Sequence, residues 1–154
     1  MKKRLIALAL LLALSLALVG CGASQAPVPA APDMQALYRK LLSAEDMPEM
    51  VLVPGDKAEF LMGVAPADCA QELVALCQNS LRADEFWLIE AVDAAAADRI
   101  EALARDRLTQ KESELRDYAP EQAQVVREAK LLRSGNCVLL LVSPQAEALA
   151  ALCA

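Results

Sequence analysis

The chain has 154 residues, 15 basic and 21 acidic side chains and no histidine, which removes Ser-His-Asp and Cys-His catalysis, histidine metal ligands and the imidazole pH switch together. A formal net charge of −6, with Tyr38, Phe60, Phe86, Trp87 and Tyr118 as its aromatic residues, excludes a basic nucleic-acid footprint and a base-stacking platform. The length suits one folded domain.

The first twenty-one residues read as a lipoprotein signal. Lys2-Lys3-Arg4 precede an apolar run of 15 residues, Leu5 to Val19, shorter than the roughly 20 that a membrane-spanning helix needs. A cleaved leader fits that length, and the positive start holds it on the cytoplasmic side, so the rest is exported. Leu18-Val19-Gly20-Cys21 supplies a lipobox: a branched apolar residue three before the cysteine, two modest residues, and the thiol that accepts a diacylglycerol. Two palmitate-type chains anchor stably where one binds marginally, since each buried CH₂ contributes about 0.8 kcal/mol. Cleavage of residues 1–20 takes three of the 15 basic residues and no acid, leaving a mature chain of 134 residues with a net charge of −9. An acidic surface adds nothing to membrane binding, so lipid on Cys21 is expected to do the anchoring, at the extracytoplasmic face of a cell membrane.

Gly22 to Asp33 holds three prolines, few bulky side chains and no periodicity. It reads as a tether within segment 21–33, able to reach roughly 35 Å at about 3.1 Å per residue. The folded domain is expected over 34–154. Asp33 suits an N-cap for a helix carrying Met34, Leu37, Tyr38, Leu41 and Leu42, ended by Met47-Pro48. Met50 to Val53 predicts a short strand, Pro54-Gly55-Asp56 a turn, and Phe60 to Val64 its partner strand. Residues 67–80 fit a helix or a strand, and periodicity does not arbitrate. Phe86 to Val92 predicts a strand.

From Ala94 to about Asp117 the spacing predicts a long helix, with an apolar stripe of Ile100, Leu103, Ala104, Leu108, Leu115 and Tyr118. Glu101 with Arg105, and Glu112 with Arg116, form acid-first pairs on its wet side. Pro120 breaks it and opens a second helix lined by Val125, Val126, Ala129 and Leu132, stopped at Ser134-Gly135-Asn136. Cys137 to Val142 reads as a buried strand, and Ser143-Pro144 as the cap of a last helix through Leu152. The fold class expected is α+β: a small, mostly antiparallel sheet packed against a long broken helix and a C-terminal helix.

Four cysteines follow Cys21: Cys69, Cys77, Cys137 and Cys153. Two disulfides are open to them in any of three pairings, although their Ala, Leu and Val surroundings favour reduced, buried thiols. Cys69 and Cys77 are too far apart to pair within a regular segment. No metal-type or EF-hand spacing occurs, and no cofactor or metal site is expected.

Arg107, Gln110 and Tyr118 fall three and eight apart on the long helix and form a candidate binding patch. The competing reading makes Arg107 a structural partner of an acid and packs Tyr118 at the helix break, which is the commoner role for such anchors. Asp84, Glu85 and Glu90 suggest paired carboxylates, against the commoner reading of exposed acids flanking a strand. Asp106, Glu112, Glu114 and Asp117 read as a solvated helix face.

Arg107-Leu108-Thr109-Gln110, Tyr118-Ala119-Pro120-Glu121 and Gly135-Asn136-Cys137-Val138, with Met47-Pro48 and Ala83-Asp84-Glu85, resemble a family of small bacterial lipoproteins that share domain of unknown function 4358. The likeness spans roughly residues 47–152. Cys137 stands where the family tends to have an aromatic ring. The resemblance implies kinship of fold and location and brings no activity. The function expected is therefore a non-enzymatic, membrane-anchored binding or accessory module with an envelope protein as partner. Alternatives are a cell-envelope enzyme with an acid- or Cys137-based site and a small solute-binding component of a transporter.

Overall fold

A computed structural model describes residues 33–153; the leader, Cys21 and nearly all of the tether lie outside the described residues. The elements run α1 (Met34–Leu42), β1 (Met50–Val53), α2 (Gly55–Met62), a 3-10 turn at Pro66–Asp68, β2 (Cys69–Cys77), β3 (Glu85–Ala91), α3 (Ala94–Leu115), α4 (Pro120–Arg127), β4 (Lys130–Ser134), β5 (Cys137–Val142) and α5 (Ala146–Leu152). The five strands form one sheet in the order β1-β2-β3-β5-β4, with every neighbouring pair antiparallel. The α+β class is as expected, and helices cover both faces.

Period-two alternation in the central strands makes this possible. Val74, Trp87, Ile89, Val138, Leu140 and Val142 face α2, α3 and α4, whereas Leu73, Ala75, Phe86, Leu88, Leu139 and Leu141 face α1 and α5. β3 and β5 are therefore apolar along nearly their whole length. Small residues on α3, including Ala96, Ala97 and Ala104, bring that helix close to the sheet. Asp33 caps α1 as expected, its Oδ1 accepting from the Gln35 and Ala36 amides at 2.9 and 3.0 Å.

Three local expectations need correction. Phe60 to Val64 is not a strand, because Pro54 opens a helix instead of a hairpin turn. Its carbonyl accepts from the Lys57 and Ala58 amides, and Ala58 and Met62, one turn apart, dock on the core. β1 pairs with β2 instead, with Met50 opposite Cys77 and Val53 opposite Val74. Flanking strands on both sides also decide the open segment 67–80 in favour of a strand over Cys69–Cys77, preceded by the 3-10 turn.

The second correction concerns the helix opened by Pro120, which stops at Arg127. Leu132 lies on β4, a strand held to β5 by a two-residue turn at Gly135-Asn136. Gly135 has φ 56°, the left-handed value that such a turn needs at its first position and that glycine adopts without steric cost. The third concerns Ser143, which does not cap α5: the N-cap is Gln145, and Ser143 Oγ accepts that residue's amide at 3.2 Å.

Candidate functional site

The residues with the most chemical capacity meet where α3 crosses the start of β3. Glu85 shares its side of β3 with Trp87 and Ile89, so alternation aims a carboxylate into the layer between sheet and helix. On α3 the inward stripe runs Ile100, Ala104, Arg107, Lys111, Leu115 at helical spacing, and two cations interrupt it where it passes over Glu85.

Glu85 is fully buried and saturated. Its Oε1 accepts from Trp87 Nε1 at 2.8 Å and Arg107 Nε at 3.1 Å; Oε2 accepts from Arg107 Nη2 at 3.0 Å and Lys111 Nζ at 2.7 Å. Burial pushes the carboxyl toward protonation. The charges and hydrogen bonds of Lys111 and Arg107 outweigh it and hold Glu85 below the usual carboxylate range. Arg107 and Lys111 are themselves largely covered, with side chains 19% and 13% exposed.

Neighbouring polar groups extend the arrangement. Asp84, also buried, takes Arg82 Nε at 2.9 Å, and the Ala83 amide donates to Gln122 Oε1 on α4 at 2.8 Å. The reading of Asp84 and Glu85 as exposed strand-flanking acids is therefore wrong: both are inside because each has a cation to meet it. Glu90 is half-buried and accepts from Gln71 Nε2 at 2.6 Å. A carboxylate acts as a general acid near neutral pH when its pKa is raised; Glu85 is shifted the other way.

A family model, Domain of unknown function (DUF4358), matches residues 44–143, a stretch that covers all five strands and the whole Glu85 cluster. The chain belongs to this family. No curated relative and no solved structure matches it. Within the DUF4358 domain, the motifs that carried the resemblance do structural work in this chain. Glu85 and Arg107 form the buried pair, Pro120 takes the first position of α4, and Gly135-Asn136 makes the β4–β5 turn.

The three residues of the expected patch go different ways. Arg107 turns inward to Glu85, Gln110 donates to Glu114 at 2.8 Å on the outer face of α3, and Tyr118 lies beyond the helix end, 72% exposed. Tyr118 is thus not part of the apolar stripe. Both expected acid-first pairs form, Glu101 with Arg105 and Glu112 with Arg116, and Glu112 also takes Arg127 of α4 at 3.1 Å.

The four described cysteines, Cys69, Cys77 and Cys137 within the DUF4358 match and Cys153 beyond it, are free thiols. Cys69 and Cys77 stand at opposite ends of β2, about 26 Å apart at 3.3 Å per residue. Burial pushes the Cys69 thiol up to about 11, with Glu72 and Asp68 adding to it; burial also raises Cys137 and Cys153. None of these three is a ready thiolate at neutral pH. No group of three or more His, Cys, Asp or Glu side chains able to hold a metal ion occurs among the described residues.

Elsewhere, a shallow cleft of about 260 Å³ between α4, β4 and α5 is lined by Glu128, Lys130, Ser143, Pro144, Ala146 and Glu147, with Lys130 and Glu147 ion-paired within it. Glu72 sits beside the start of α2 with its Oε1 buried and unpartnered among the described residues, and burial raises its pKa. Large apolar side chains stand in solvent on β1 and α2: Val51, Leu52, Phe60 and Leu61, with Phe60 87% exposed.

Proposed function

We propose that this DUF4358 chain is a non-catalytic bacterial lipoprotein, anchored by diacylglycerol on Cys21 at the extracytoplasmic face and serving as a binding or accessory module for an envelope protein. The observation that carries the binding role is where the exposed apolar surface lies. Arg107, Lys111 and Glu85 satisfy one another inside the fold, while Val51, Leu52, Phe60 and Leu61 face water on neighbouring elements. Val51 and Leu52 project from opposite faces of β1 and Phe60 and Leu61 from the helix that follows, so exposed apolar side chains gather on two consecutive elements, and such exposure is the support for an interaction role. Support for the location is the run from Lys2 to Cys21, and no helix among the described residues is long and apolar enough to cross a membrane.

The test is the mass of the mature protein and its fate in a Cys21→Ala variant. The expected mass lacks residues 1–20 and carries a diacylglycerol, and the variant leaves the lipid-anchored fraction. An unmodified N-terminus overturns the anchor. Turnover of an envelope substrate by the purified protein overturns the non-catalytic role.

A further inference from the structure

The two edges of the sheet are treated differently. β4 is guarded: Lys130 pairs with Glu147, Arg133 pairs with Asp98 at 3.3 Å and Glu101 at 3.5 Å, and α5 and α3 pack over the strand. Charges, Lys above all, and covering helices are how proteins block unwanted strand pairing. β1 has none of this. Met50-Val51-Leu52-Val53 carries no charge, no proline and no bulge, and among the described residues β2 is its one strand neighbour. Among the described residues nothing pairs with the outer row of backbone N–H and C=O groups, which is bounded by Pro48 and Pro54, and Phe60 and Leu61 stand on the helix that follows.

From this contrast, and resting on the binding-module reading, we infer that β1 accepts a sixth strand: an extended apolar segment of a partner protein, with Lys or Arg on either side of it. Backbone pairing supplies the attachment and alternate side chains supply selectivity, as in other strand-addition complexes. The charge preference comes from the bracket around the edge. Glu49, Asp56 and Glu59 are exposed and outside any ion pair among the described residues, against Lys57 as the single cation between positions 49 and 62.

The same bracket argues against two other occupants. A second copy pairing about a two-fold axis through the middle of β1 would bring together two brackets of the same net negative charge, Glu49, Asp56 and Glu59 against Lys57 on each copy. A lipid surface would leave the edge N–H and C=O groups unpaired in hydrocarbon, where water cannot satisfy them.

The probe is a synthetic peptide of five alternating Val and Thr residues with two Lys at each end, added to the full chain in detergent; a twin peptide carries Glu at the ends. The expected result is saturable binding of the Lys peptide, at least tenfold weaker for the Glu twin. Amide exchange of residues 50–53 should slow at least tenfold on binding. Val51→Lys should weaken binding at least tenfold, and Tyr118→Lys, which adds the same charge at another exposed apolar side chain, should leave it within about twofold.

Absence of protection at residues 50–53 overturns the inference. So does protection that rises with protein concentration alone, which assigns the edge to a second copy, or that phosphatidylcholine vesicles produce without peptide. Peptide binding that protects another surface removes the β1 site and leaves the binding-module reading standing; turnover of an envelope substrate removes that reading, whatever happens at β1.

Discussion

Glu85→Gln tests the account of the buried cluster most directly. The amide keeps nearly the same shape and one accepting oxygen, so the Trp87 contact survives, but the charge that faces Arg107 and Lys111 disappears. Removing one partner of a buried ion pair costs about 3–5 kcal/mol because the other charge is left without compensation. Arg107 and Lys111 keep a little solvent access, with side chains 19% and 13% exposed, which places the expected loss near the lower end, about 3 kcal/mol. For a domain of this size that is a fall in Tm of about 10 °C. Urea unfolding followed by the fluorescence of the single, fully buried Trp87 measures it.

The pH dependence carries the sign. Glu85 has a folded pKa below its unfolded value, so its contribution is complete above about pH 4.3, the ordinary glutamate value, and is lost as pH falls through the depressed folded pKa. The gap between wild type and Glu85→Gln should therefore be widest at neutral pH and close in acid. A loss under about 1 kcal/mol at pH 7, or a gap that persists after acidification, refutes the reasoning.

Gly63 ends α2 at φ 75°, and a Cβ there would meet Leu103 Cδ2 at 3.1 Å, so Gly63→Ala should cost about 1–2 kcal/mol in the same unfolding assay. Glu72→Gln is expected to stabilise by up to about 1 kcal/mol at neutral pH, since it removes a charge whose Oε1 is buried without a partner among the described residues. Because the folded pKa of Glu72 is raised, that gain should vanish as pH falls below about 4.3, as stability curves at two pH values would show. Cys69, Cys77, Cys137 and Cys153 should titrate as four thiols in denaturant with or without reductant, and Cys69, held up at about 11, should alkylate slowly at pH 8 in the native state.

Local pattern was enough where one period dominates. Asp33 before Met34, Ala94 to Leu115 with its acid-first pairs, and the apolar run Cys137 to Val142 each announce their element, because a cap or a long repeat leaves one conformation that buries the apolar side. The Glu85 cluster also left a trace in the sequence. Arg107 and Lys111 sit at core-facing spacing within the stripe of α3, and Glu85 falls in step with Trp87 and Ile89, so charges at inward positions on two elements were there to be matched.

Composition and order thus determined the acidic charge, the lack of histidine chemistry, the α+β class and the caps and strands with strong local signals. Tertiary structure alone decided the short segments. Phe60 to Val64 lost its strand to a helix whose Ala58 and Met62 reach the core, Cys69–Cys77 within the open segment 67–80 became a strand because β1 and β3 flank it, and Leu132 left helical spacing for the register imposed by β5. It also decided that Arg107 belongs to Glu85, 22 residues away, and not to a surface patch with Gln110 and Tyr118. The reason is energetic: over four to nine residues, helix and strand differ by less than the free energy of burying one large side chain or pairing one buried charge. Partners distant in sequence therefore make the choice.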